Sequence, residues 1–150
     1  IYVTQISHPQ DRHEKMRNNI DFYKLYDSTE NRLLAVINLN YMFLVHKNRI
    51  VDLEYKDINK YREFRDELEK TKYIDLLKLE MHEINKLNLS EKALKLYDLK
   101  TNYPTDIVSK RCFNFSLLEK KCIEYQESQI IHLDKIVSSM KPIAIDEKEA

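Results

Sequence analysis

Glycine occurs nowhere in this chain of 150 residues. Tight turns usually draw on glycine because, lacking a Cβ, it enters the left-handed backbone region freely. Glycine-rich phosphate loops need it at fixed positions, so a P-loop and a dinucleotide-binding fingerprint are both excluded. The charge balance narrows the field again: 25 basic against 25 acidic residues give no overall attraction to nucleic acid or to an anionic membrane. Any site for a polyanion must therefore be a local patch. A chain of this length is expected to make one domain with its own core, burying about two thirds of the surface it exposes when unfolded. Cys112 and Cys122 form no CxxC and no paired framework, which reads as free or buried thiols in a reducing, cytoplasmic compartment. No apolar run approaches the roughly 18 residues that span a bilayer, and no basic-then-apolar leader is present, so no membrane partner is expected. The chain starts at Ile1, without methionine, inside what reads as a strand, and further strands are expected upstream.

The first half reads as strands. Tyr2, Val3 and Ile6 make a short β segment, and "DFYKLYD" (21–27) makes another. "RLLAVINLNYMFLV" (32–45) suits one bent strand or two segments broken near Asn38 and Asn40, and "RIVDLEY" (49–55) has the composition of a further strand. A turn falls at Ser28 to Asn31. From Asp57 the period becomes helical: Ile58, Tyr61, Phe64 and Leu68, then Ile74, Leu77, Met81 and Ile84, predict one bent helix or two abutting ones. Ser90 is placed to cap "EKALKLYDLK", which stops before Pro104. Ser116 and Glu119 have capping-box spacing at the start of a last helix, whose face continues through Leu118, Cys122, Tyr125, Leu133, Ile136 and Met140 until Pro142. Strands first and helices after predict a single α+β domain over residues 1–141, an antiparallel sheet with packed helices, and a frayed tail at 142–150.

Two stretches carry candidate chemistry. In "YVTQISHPQDRH" the strand pattern runs into Ser7, His8 and Pro9, followed by Arg12, His13, Lys15 and Arg17. A hydroxyl, imidazoles and cations so close together are the ingredients of phosphate chemistry, and they are also what an ordinary polar loop contains. On the plain reading Ser7 is a turn hydroxyl bonded to nearby backbone, Pro9 shapes the turn, His13 lies on a helix surface and the cations are solvated. In "KRCFNFSLLEKK" the pairs Lys110-Arg111 and Lys120-Lys121 flank Phe113 and Phe115. Cations interleaved with aromatics suit single-stranded RNA, although both phenylalanines, Leu117 and Leu118 also read as core anchors. Asn114 and Ser116 read as helix caps. The cysteines and the five histidines show no metal-ligand spacing, so neither a metal nor a cofactor is expected.

These stretches, with "RLLAVINLNYMF" between them, resemble the ToxN/AbiQ family of type III toxin–antitoxin endoribonucleases over roughly residues 2 to 126. "VINLNYMF" and "CFNFSLLEKK" are the most specific parts. The resemblance implies a compact, twisted antiparallel sheet with helices, similar to the Kid/MazF toxins. It also implies metal-independent RNA cleavage in defence against phage, and inhibition by a pseudoknotted RNA antitoxin in a toxin–RNA hetero-oligomer. Family members commonly carry threonine, serine, proline and lysine where this chain has Ser7, His8, Pro9 and Gln10. One hydroxyl and the proline are retained; the second hydroxyl has become His8 and the lysine has become Gln10. His13 falls where family members also carry histidine.

Cutting RNA without a metal is chemically accessible because the 2′-hydroxyl attacks the adjacent phosphorus, which leaves a 2′,3′-cyclic phosphate and a 5′-hydroxyl. The protein must then supply a base, an acid and donors for the developing charge. Histidine suits either proton role, with an ordinary pKa of about 6.5. On this reading Ser7, His8 and His13 are the catalytic candidates, with His8 the first choice for proton transfer. Gln10, Arg12, Lys15, Arg17, Lys110, Arg111, Lys120 and Lys121 are the RNA-binding candidates, expected to border one groove on the cellular or phage RNA substrate and on the antitoxin. The rival reading is a noncatalytic RNA-binding protein on the same scaffold. A helical protein-interaction module without an RNA role would require the matched stretches to be coincidental.

Overall fold

The computed structural model describes residues 1–139; the expected face position Met140, the stop at Pro142 and the 142–150 tail lie outside them. Without glycine, the left-handed turns fall to asparagine, whose short polar side chain tolerates that region better than others do. Asn31 (φ 53°) and Asn88 (φ 47°) are the positive-φ residues among those described. Asn31 closes the turn between β3 (Phe22–Tyr26) and β4 (Leu33–Asn38), where its amide donates to the Asp27 carbonyl at 2.9 Å. The Asp27 carboxylate holds the same turn by accepting from the Thr29 amide (2.8 Å) and hydroxyl (2.6 Å). Those bonds set the Asp27 carboxyl below the usual carboxylate range.

The strands make two small antiparallel sheets where one was expected. β2 (Ile6–Ser7), β4 and β3 form a three-stranded sheet in the order β2-β4-β3, and β1 (Tyr2–Val3) pairs with β5 (Phe43–Leu44). The break near Asn38 and Asn40 is a 3₁₀ turn at Leu39–Tyr41, which carries the chain from the larger sheet to the smaller. Residues 50–54 are not a strand: the segment lies between 3₁₀ turns at Lys47–Arg49 and Tyr55–Lys60, with Val51 81% exposed. Branched residues alone do not make a strand when no sheet edge is there to pair with.

The helices follow in chain order. A five-residue helix, α1 (Asp11–Lys15), follows β2 and had no periodic signal in the sequence. α2 (Glu67–Lys86) starts later than the stripe at Ile58, Tyr61 and Phe64 suggested, because Asp66 caps it by accepting from the Glu69 amide at 2.7 Å. It then runs unbroken past Lys70 to Lys72. α3 (Leu89–Asn102) begins after the left-handed Asn88, two residues before the expected Ser90 cap. α4 (Ile107–Arg111) leads into α5 (Phe115–Ser139). The α5 cap is Asn114, whose Oδ1 accepts from the Leu117 amide (3.1 Å) and the Ser116 hydroxyl (2.9 Å). Glu119 makes no capping box with Ser116; it accepts from the phenols of Tyr2 (2.8 Å) and Tyr97 (3.1 Å).

The main core lies where the end of β4, the 3₁₀ turn, α3 and the start of α5 meet: Ile37, Leu39, Met42, Leu96, Cys112 and Phe115 are all buried. Each such large side chain contributes about 1.5–3 kcal/mol of burial free energy. Phe115 stacks on Tyr97 (5.8 Å between ring centres) and meets the Tyr2 edge, fastening β1 and the smaller sheet to the helices. A second cluster, Leu25, Leu34 and Ala35, packs β3 and β4 against Leu76 and Leu79 of α2. The outcome for the C-terminal aromatics is divided: Phe115 is core and Leu118 packs against it, whereas Phe113 and Leu117 are exposed. Among the described residues no helix is long and apolar enough to cross a membrane.

Candidate functional site

Two cavities border the candidate residues. The larger, about 1070 Å³, lies between α5 and the Phe43–His46 segment; its α5 wall includes Leu118, Cys122 and Tyr125. Lys121 is the one candidate residue on it, and its ammonium is paired with Glu124 at 2.7 Å. The smaller cavity, about 400 Å³, is polar and collects Arg12, His13 and Arg17 from the first stretch together with Arg111 from the second. Size favours the first cavity, which carries His46, Arg49 and the paired Lys121, but chemistry favours the second, which gathers three arginines around His13.

Each wall of this groove has a local cause. Arg12 and His13 sit on α1, whose backbone is tied back by the His13 amide to the Gln10 carbonyl at 2.7 Å. Arg17 follows on a loop fastened to β3: the Asn18 side chain accepts from the Lys24 amide (2.9 Å), and Asn19 and Phe22 exchange backbone bonds of 2.8 and 3.1 Å. The opposite wall is Arg111, at the end of α4, held by Asp21 through contacts of 2.9 and 3.1 Å to the two carboxylate oxygens. Asp21 is buried and Arg111 is half in water. The Asp21 carbonyl also accepts from the Leu39 amide at 2.9 Å, so this ion pair joins α4 to β3 and the 3₁₀ turn. The floor between the walls includes Asn38 and Asn40.

His13 is buried, with its ring 5.8 Å from that of Phe22. Its Nδ1 accepts from the Gln10 amide at 3.0 Å, which places the ring proton of neutral imidazole on Nε2. Arg12 Nε, itself an N–H donor, lies 3.4 Å from that Nε2. A neutral ring cannot accept at both nitrogens, so we read the long contact as two donors facing each other. Two donors in that position lack an acceptor of their own and suit a shared oxygen anion. The expectation of a surface histidine is therefore corrected: the turn at Gln10 and the Phe22 ring draw His13 inward.

The other candidates are more dispersed. Ser7 closes β2 opposite Val36, in a row with Lys24 across the sheet, and is half-buried. His8 is exposed, and its charged neighbour is Glu80 of α2, whose carboxyl burial pushes up and His8 pulls down. Ser7 and His8 do not line the groove that holds His13. Gln10 contributes its backbone to the α1 turn, and Lys15, Lys110 and Lys120 are exposed away from both cavities. Of the seven cations expected to border a single groove, Arg12, Arg17 and Arg111 line this one. Cys112 is buried beside the Val108 carbonyl (3.3 Å), and burial pushes its thiol up, the wrong direction for a nucleophile. Among the described residues no three His, Cys, Asp or Glu side chains stand together as metal ligands would.

Reasoning from the sequence missed Asp21, Asn40 and Tyr41. Asn40 is 8% exposed, and its Oδ1 is buried with no hydrogen-bond partner. Such an orphan typically costs about 1–3 kcal/mol. Tyr41, also on the groove, is 53% exposed and meets the Phe113 ring at 5.4 Å. The signal for these residues was the stretch "VINLNYMF" itself, which marked the region without showing which side chains turn outward.

A family model described as toxin ToxN of type III toxin–antitoxin systems matches residues 1–123. No curated protein matches the sequence. Two solved structures share the fold. One, from work on a processed non-coding RNA that regulates a bacterial antiviral system, has a TM-score of 0.60 at 21% identity, covering 80% of this chain and 68% of that chain. The other concerns selective toxin inhibition by a non-coding RNA pseudoknot in type III toxin–antitoxin systems. It has a TM-score of 0.59 at 20% identity, covering 84% of this chain and 72% of that chain.

Proposed function

The chain belongs to the ToxN family of type III toxin–antitoxin toxins, and from that premise we propose that it is an endoribonuclease that cuts single-stranded RNA in the Arg12–Arg111 groove. The observation that carries this reading is the 3.4 Å approach of Arg12 Nε to His13 Nε2 in a groove that also holds Arg17 and Arg111. A phosphate of the substrate supplies the missing acceptor. Arg12 then neutralises the charge that develops on the nonbridging oxygens; His13, in its protonated form, donates its Nε2 proton to the departing 5′-oxygen and returns to neutral imidazole, while solvent water takes the proton of the attacking 2′-hydroxyl. Arg17 and Arg111 hold the flanking phosphates. Because the nucleophile belongs to the RNA, no metal is assigned to the reaction.

A second reading places the proton transfer at Ser7 and His8, favoured by the electrostatic attraction between His8 and the Glu80 carboxyl. There Ser7 would donate to a nonbridging oxygen. In both readings the partner is an RNA antitoxin that occupies the same cationic surface, as the non-coding RNA pseudoknot of the second related structure inhibits its toxin. Toxin and antitoxin RNA together form a hetero-oligomer in the cytoplasm, and the substrate is cellular or phage RNA.

Salt dependence tests the assignment of the groove. Each phosphate contact to a single strand contributes roughly 0.7 to the slope of log K against log salt. Arg12→Ala, Arg17→Ala and Arg111→Ala should each lower the slope by about that much, whereas Lys120→Ala with Lys121→Ala should leave it unchanged. A slope that moves only with the Lys120 and Lys121 pair would relocate the RNA to α5.

A further inference from the structure

The geometry points to a base-reading subsite at the rim of the groove, made by Asn40, Tyr41 and Phe113, that takes one unstacked base of the bound strand. This rests on the proposal that the groove binds RNA, and it adds which part of the chain recognises the base as distinct from the phosphates.

Three observations converge on it. Asn40 is more than nine-tenths buried on the groove, and its Oδ1 has no donor. An amide in that state can take an N–H from a base edge and offer its own N–H in return, the pairing that lets asparagine discriminate bases. Beside it, Tyr41 and Phe113 form an aromatic pair with ring centres 5.4 Å apart, yet they are 53% and 45% exposed. Neither ring belongs to the buried clusters that hold the fold together. Exposed rings next to arginines are the surface on which bases of a single strand stack. The third observation is rigidity: the Phe113 amide donates to the Asn40 carbonyl at 3.1 Å, and Arg111, two residues before Phe113, is held by Asp21. The backbones that carry the amide and the Phe113 ring, and a phosphate-binding arginine, are therefore fixed relative to one another before any RNA arrives. Asn40 is well placed to read the edge of a base whose face lies on the aromatic pair, while Arg111 holds the phosphate next to it.

Full-length protein and uncleavable 2′-O-methyl hexamers of A, C and U, labelled with fluorescein, separate this subsite from the groove. Binding is followed by anisotropy over a range of salt. Tyr41→Ala and Phe113→Ala should each weaken the hexamers by roughly five- to 150-fold, with the salt slope unchanged because the phosphate contacts remain. Asn40→Leu, which removes the amide while filling its space, should bring the three affinities to within about two-fold of one another where the wild type separates them by tenfold or more. Circular dichroism checks the fold, and Asn40→Ala serves as the second variant should leucine not be accommodated. If the wild type binds the hexamers and the aromatic variants bind equally well, or if the ranking of bases survives in both Asn40 variants, the subsite is wrong and the groove stands. If the wild type binds none of them at any salt, the RNA-binding groove falls, and the subsite with it.

Discussion

Replacing Arg111 with alanine should destabilise the protein through a residue that was not replaced. Asp21 is buried, and its carboxylate takes both short contacts from Arg111 at 2.9 and 3.1 Å. Removing the guanidinium leaves a buried negative charge with its principal partner gone. For a pair with both members buried that costs about 3–5 kcal/mol. Arg111, however, is 49% exposed, so water reaches the pair and screens it. A cost of about 2 kcal/mol is the appropriate scale, within the range for an unsatisfied buried group. In a domain of this size that lowers the melting temperature by roughly 4–8 °C. The double variant Asp21→Asn, Arg111→Ala carries no buried charge and should recover at least half of the loss, although it keeps the defect in RNA binding. Urea denaturation of wild type, both single variants and the double variant closes the cycle. If Arg111→Ala is within about 0.3 kcal/mol of wild type, or the double variant is less stable than Arg111→Ala alone, Asp21 does not depend on Arg111 and the wall of the groove is held some other way.

Further outcomes follow from other contacts. Asp27 and Glu83 are carboxyls set below their ordinary range, Asp27 chiefly by the Thr29 hydroxyl and Glu83 chiefly by the Ser28 hydroxyl and then Lys86. A carboxyl depressed on folding contributes stability that is present above its unfolded pKa of about 4 and is lost as pH falls through the lower folded value. Thermal melts should therefore decline below about pH 4, with Asp27→Asn flattening the decline; an identical pH profile for that variant would remove Asp27 from the account. His8→Ala should leave cleavage within about threefold of wild type if His13 carries the proton. A loss of 10²-fold or more in His8→Ala, with His13→Ala active, would move the chemistry to the Ser7 end of β2.

The parts of this structure that sequence reasoning located are those where a local signal and the tertiary fold agree. β3 and β4 carry enough alternating and branched residues to be read directly, and asparagines at 38 and 40 marked the break that became the Leu39–Tyr41 turn. The start of α2 was misplaced because Ile58, Tyr61 and Phe64 happen to recur at helical spacing. The stronger cue was Asp66 followed three residues later by Glu69, a capping pair. α1 is too short for periodicity to reveal it. The groove was half legible: its cations were named, but nothing local distinguishes Arg111 from Lys110, since that depends on a buried Asp21 far away in sequence. His13 among charged neighbours looks like a surface residue until Phe22 and the Gln10 amide are brought to it. Asn40 and Tyr41 had the same difficulty, because a side chain facing a groove is a property of packing and not of its neighbours in sequence.

The central claim is that RNA is cut in the groove by its own 2′-hydroxyl with His13 moving the proton. The most direct measurement is single-turnover cleavage of an end-labelled single-stranded RNA in EDTA, by wild-type protein and by folded His13→Ala. It is repeated with a single 2′-deoxy nucleotide placed at the cleaved position. The account predicts cutting by the wild type to a 2′,3′-cyclic phosphate, none at the deoxy position, and a loss of roughly 10²–10⁴-fold in the variant. Cleavage that survives the deoxy substitution, or that proceeds at the wild-type rate in His13→Ala, would contradict it.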